Sequence, residues 1–125
     1  MPKFARKDVQ INPQGGLVQV QVICGFAHHI RFVAELFDSQ GNNPDQPPHI
    51  GSSEATDPPP FNLSRAASDL VGRFLMITAD VFHMGISDNF KVEVVLRQDG
   101  KELDRIPLAD TFKDNVALRT VTRFQ

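Results

Sequence analysis

Two adjacent imidazoles, His28 and His29, are the first side chains in this sequence equipped for chemistry. Neighbouring residues of a strand point to opposite faces, so both rings reach one metal ion only where the chain turns. Gly25 supplies freedom for such a turn, and His83 from another strand would complete a set of three nitrogen ligands suited to zinc. His28, His29 and His83 are therefore the metal candidates. Their spacing matches no established ligand motif, and the competing reading is structural: one ring packs at a sheet edge and the other is solvated.

Cys24 and His28 invite a thiolate–imidazole reading. On a strand, four residues span ~13 Å, far beyond hydrogen-bond reach. Cys24 shares a face with Val18, Val20 and Val22, which makes it a small buried apolar residue. The stretch Asp38-Ser39-Gln40-Gly41-Asn42-Asn43-Pro44-Asp45, with Asp80 and Asp88 flanking a later turn, concentrates oxygen donors of the kind calcium takes. It does not follow the EF-hand pattern, and Asp, Asn and Gly are equally the ordinary residues of solvated turns. Pro44-Asp45-Gln46-Pro47 is formally a PxxP docking peptide, but no nearby Lys or Arg orients it, so a tethered spacer is the simpler reading. Asn62-Leu63-Ser64 matches the glycosylation triplet, which has no meaning without a secretory signal. There is no Gly-rich phosphate loop, nucleophile elbow or paired-carboxylate motif, so no catalytic set and no cofactor is expected.

The elements that would carry these residues alternate between apolar and polar positions, the period of a half-buried strand. Lys3–Ile11 and the strand containing Val18-Gln19-Val20-Gln21-Val22 flank Asn12-Pro13-Gln14-Gly15-Gly16, which predicts a hairpin. Ile30, Phe32, Ala34 and Leu36 share one face of a third strand. Arg73–His83 is apolar on both faces, as a central strand would be. Ser64–Leu70 has the makings of a short helix, with Ser64 as N-cap and Gly72 ending it.

Around Asp99-Gly100 two hairpin registers compete. A two-residue loop opposes Val94 to Arg105 and Glu93 to Ile106, which mismatches the faces. A three-residue loop, Gln98-Asp99-Gly100, opposes Val95 to Leu103, Val92 to Ile106, Phe90 to Leu108 and Glu93 to Arg105, and is the expectation. After a turn at 111–115, Val116, Leu118, Thr120, Thr122 and Phe124 share a face of the last strand.

Six of the nine prolines fall between Pro44 and Pro60. Proline donates nothing to a ladder, so 39–60 is expected to be a long Pro/Gly/Asn-rich loop inserted between strands and left outside in solvent. The prediction is a single all-β domain over 1–125: an antiparallel β-sandwich of about seven strands, immunoglobulin-like or C2/jelly-roll-like.

Composition narrows the function. The chain has 125 residues and a net charge of −2 without a basic block, so the electrostatic footprint of a nucleic-acid binder is missing. The longest apolar run, Val22–Ala27, is far short of the ~20 residues that span a bilayer. A single cysteine and an N-terminus without an apolar stretch lead to the expectation of a reducing, cytoplasmic setting. Ten Phe with no Trp and no Tyr read as core filler rather than as a sugar-stacking or antibody-like surface. The expectation is a non-catalytic interaction or assembly module. Its partner would be another protein or a second copy, met through a sheet edge or face. Alternatives are a carrier of an apolar small ligand in a Phe-lined pocket and a small His–metal enzyme.

Overall fold

The structure, a computed structural model, describes residues 3–53, 57–112 and 115–125. In chain order the elements are β1 (Lys3–Val9), β2 (Val18–Cys24), β3 (His29–Phe37), β4 (His49–Ser53), β5 (Phe61–Asn62), α1 (Ala67–Leu70), β6 (Phe74–Phe82), β7 (Asn89–Gln98), β8 (Lys101–Thr111) and β9 (Val116–Phe124). They form two sheets, one ordered β1-β9-β6-β3-β4 and the other β5-β2-β7-β8. The fold is an all-β sandwich, and among the described residues no helix is long and apolar enough to cross a membrane.

Period 2 explains the core. Val18, Val20 and Val22 of β2 are buried together with Phe90, Val92, Val94 and Leu96 of β7. They face Ile30, Phe32, Ala34 and Leu36 of β3, Leu75, Ile77, Ala79 and Val81 of β6, and Leu118 and Phe124 of β9. Each such Val, Leu, Ile or Phe contributes about 1.5–3 kcal/mol on leaving water. β6 lies at the centre of its sheet between β9 and β3; its inner face (Leu75, Ile77, Ala79, Val81) is buried, while on its outer face Phe74, Met76, Thr78 and Phe82 are half-buried among neighbouring strands and Asp80 is exposed.

Four expectations are corrected. First, β1 does not pair with β2. It crosses to the other sheet and runs parallel to β9, Lys3 beside Leu118 through Val9 beside Phe124, so the sandwich is mixed rather than wholly antiparallel. The connecting residues do turn, the Gly15 N–H donating to the Asn12 carbonyl at 3.0 Å, but the turn closes no hairpin; the buried Gln98 carboxamide ties it to the second sheet, accepting from the Asn12 N–H and donating to the Asn12 and Gly16 carbonyls.

Second, the β7–β8 hairpin closes with a two-residue loop. Gln98 faces Lys101, and Asp99 and Gly100 take positive φ, 54° and 76°, as a type I′ turn requires. The face mismatch is repaired by a bulge in which Leu103 is the extra residue, so that Val94 faces Ile106 and Val92 faces Leu108. Glu93 stands opposite Pro107, yet the Arg105 guanidinium still reaches its carboxylate at 2.8 Å.

Third, the expected short helix is present as one turn ended by Gly72 at φ 86°, but its N-cap position is Ala66, with no side-chain cap, rather than Ser64. Fourth, the proline-dense stretch is not a detached excursion. It contains β4, paired with β3 from Ile30–Ser53 to Ala34–His49, and leads into β5, paired with β2. These two short strands bring the described total to nine, against about seven expected.

The sandwich has two flanks. Where β1 meets β8, Lys3–Asp110 and Lys7–Asp104 ion pairs, each 2.7 Å, link the sheets. Where β4 meets β5, no ion pair joins the two strands themselves among the described residues; the Arg65–Asp45 pair lies beyond their ends, and a half-open cleft is left between.

Candidate functional site

The open flank follows from where the prolines fall. β3 runs on to Phe37, but β4 pairs with it only as far as Ala34, because Pro47 and Pro48 have no N–H to offer the ladder. The chain touches β3 again at Asp45, whose N–H donates to the Leu36 carbonyl at 2.9 Å, and residues 46–48 arch away in between. Pro58-Pro59-Pro60 likewise precede β5, which is reduced to Phe61 and Asn62 against Val20 and Gln19. Between the 45–49 arch and residues 61–64 lies a half-open cleft of about 340 Å³, floored by Ala34, Leu36 and Leu75.

An aromatic stack closes the gap beside the cleft. The His49 ring lies parallel on Phe61, centroids 3.7 Å apart, and Phe61 stacks in turn over Phe32 at 6.0 Å. Phe32 fits beneath β4 only because Gly51 has no side chain: a Cβ there would sit 2.3 Å from the ring. Partial burial against this stack pushes the His49 imidazole below its ordinary pKa, favouring the neutral ring.

The rim is electrically quiet. Arg65 binds Asp45 through two guanidinium nitrogens and Asp69 through a third, and Arg73 also reaches Asp69. Hydrogen bonds from Arg65 hold both carboxyls below the usual carboxylate range. Two cations and two anions cancel, and the network fixes the arch to the start of α1.

The sequence candidates lie elsewhere. His28 is buried (3% exposed) at one end of the sandwich, with both ring nitrogens engaged by backbone: Nε2–H donates to the Asn89 carbonyl at 2.8 Å, and Nδ1 accepts from the Gly85 N–H at 3.0 Å. His83 stands beside it, ring centroids 5.1 Å apart, stacked on Phe112 and 3.4 Å from the Asp88 carboxylate. His29 opens β3 opposite Phe82, between the buried residues His28 and Ile30, and so faces the other way. The structure thus brings His28 and His83 together and leaves His29 apart. Among the described residues no three His, Cys, Asp or Glu side chains converge into a metal-holding group.

Cys24 packs against the core without an imidazole partner, and burial, aided by the charge of Asp57, pushes its thiol up to about 11. Asp38 uses one carboxylate oxygen on the Gln40 and Asn42 N–H groups and the other on the Asn43 amide, the arrangement of a self-closed turn.

His49 and Arg65 were missed by sequence reasoning, and Asn62 was noted only within a glycosylation triplet. The only signal for them was the pair of proline clusters, 47–48 and 58–60, which cut one strand short on each sheet. Scanned against protein-family models, curated proteins and solved structures, the chain matches none.

Proposed function

We propose that the chain is a non-catalytic interaction module that receives an extended segment of a partner protein along the edge of β4. One observation carries this reading: of the four sheet edges among the described residues, β4 alone is both long enough and free of charge and proline. β8 carries Lys101, Glu102, Asp104, Arg105 and Pro107; β1 carries Lys3, Arg6, Lys7 and Asp8; β5 has two residues. Charge and proline are what keep an edge from pairing with another chain. β4, His49-Ile50-Gly51-Ser52-Ser53, has no Asp, Glu, Lys, Arg or Pro and presents Ile50 at 64% exposure. Strand addition there would satisfy main-chain groups that otherwise face water.

Homo-oligomerisation is the form of this contact in which the segment is β4 of a second copy. Light scattering at two concentrations, with wild type and Ile50→Lys, reads it: a dimer abolished by the lysine makes the second copy the occupant. Amide hydrogen exchange across 49–53, with and without a capped, uncharged heptapeptide of alternating threonine and valine, reads the foreign version. Exchange in β4 unaffected by both protein concentration and peptide refutes the reading.

The carrier alternative gains less support, because only Phe61 of the ten phenylalanines lines the cleft. A His–metal enzyme gains none from a His28 ring whose two nitrogens are already occupied by backbone. Within the sandwich class, β2 pairs with β7 and β3 with β6, so the pairings nest. That supports a jelly-roll-like wrap over the immunoglobulin-like one, whose corresponding pairs interleave.

A further inference from the structure

We infer that the cleft under the open flank is a specificity pocket for the incoming segment, taking one bulky, uncharged apolar side chain from an extended peptide laid along β4. This rests on the strand-accepting reading above and adds what that reading leaves open, the kind of sequence accepted.

The first argument is geometric. In β4, His49 turns inward onto Phe61 and Gly51 sits over Phe32, so His49, Gly51 and Ser53 face the gap between the sheets while Ile50 and Ser52 face out. A strand paired outside β4 alternates in the same sense, and every second side chain it carries overhangs the flank. Beyond His49 the prolines end the ladder, and the cleft, with the largely buried Ala34, Leu36 and Leu75 at its floor, opens between residues 46–48 and 61–64.

The second argument is chemical. The floor and the Phe61 wall are apolar, and the nearest charges are already paired in the Arg65–Asp45–Asp69 network, so a charged side chain would be desolvated without a partner. At the mouth, the Gln46 and Asn62 amides hold no hydrogen bond to any described residue and are free to meet peptide groups. The third argument concerns the occupant. A second copy pairing through its own β4 would offer His49, Gly51 and Ser53 to the flank, none of them bulky and apolar, and would leave the cleft unfilled. The cleft therefore points to a different protein.

The test is calorimetric titration with two capped heptapeptides of alternating threonine and valine, one with phenylalanine at its centre and one with alanine, alongside hydrogen exchange of β4. The phenylalanine peptide is expected to bind about tenfold to a hundredfold more tightly, the gain from burying an aromatic ring. Both peptides should slow exchange in β4. Ala34→Leu, which fills the floor, should erase the difference between them. Should that variant misfold, Ser64→Trp, placed on the exposed rim, serves in its stead. Equal affinity for the two peptides with β4 protected overturns the pocket and leaves the strand reading standing. A phenylalanine preference with β4 unprotected overturns the strand reading and this inference with it, as does the failure of both peptides to bind.

Discussion

His28→Phe is the sharpest test of how the far end of the sandwich is held. Phenylalanine retains the ring and its edge-on contacts with Phe112 and His83, 4.6 Å and 5.1 Å between centroids. It removes both nitrogens, and with them the bond to the Asn89 carbonyl and the bond from the Gly85 N–H. Each fully buried backbone group left without a partner costs about 1–3 kcal/mol. These two are only partly shielded, so we expect a combined loss of about 2–4 kcal/mol. The total stability of a 125-residue domain is about 6–19 kcal/mol, so this is a sizeable fraction. With a urea slope of roughly 1.5 kcal/mol per molar, the unfolding midpoint should fall by about 1–3 M at unchanged slope. The Gly85 amide should pass from slow to fast hydrogen exchange. A midpoint shift below about 0.3 M, with Gly85 still protected, would mean that the imidazole is a space-filler and that the two loops are pinned by something else.

Three further outcomes follow from the same structure. Gly85→Ala puts a Cβ 2.2 Å from the Phe26 carbonyl oxygen, a backbone atom that cannot rotate aside, and should cost about 1–3 kcal/mol or more in thermal denaturation; a neutral result would show that the two loops are not in register. Cys24, with its thiol raised from an ordinary 9.0 to about 11, should react with iodoacetamide at pH 8 roughly a hundredfold more slowly than a free thiol. Since the folded value lies above the unfolded one, the contribution of Cys24 to stability is complete below about pH 9 and is lost as pH rises toward 11; alkylation at the free-thiol rate would contradict both statements. Thr122→Val should be neutral or stabilising by about 0–1 kcal/mol, because the buried Thr122 hydroxyl has no partner among the described residues; a lower melting temperature would reveal one.

What the sequence determined by itself is local and periodic. The alternation in Val18–Val22, Ile30–Leu36 and Val116–Phe124 specified strands and their buried faces, since a side chain's face is set by its parity along one strand. The two-faced apolar character of Arg73–His83 specified a central position. Parity demanded only that the buried faces of β7 and β8 meet; the expected pairs Val92–Ile106 and Phe90–Leu108 are displaced by two residues to Val94–Ile106 and Val92–Leu108, while the Asp99-Gly100 turn by itself sets the opposite parity. A bulge is what reconciles the two, and nothing in the local pattern said on which strand it would fall. Pairing partners were decided only in three dimensions. β1 turns only Ala5 and Val9 toward the core, its Phe4 being exposed, and covers the edge of β9 rather than competing for Val-rich β2; the buried Gln98 amide that ties the connection is 86 residues from the Asn12 it holds. The cleft is decided at the same level. Each proline cluster merely shortens its own strand, and the cleft arises because the two shortened strands, consecutive in the chain, lie at the same flank of two different sheets.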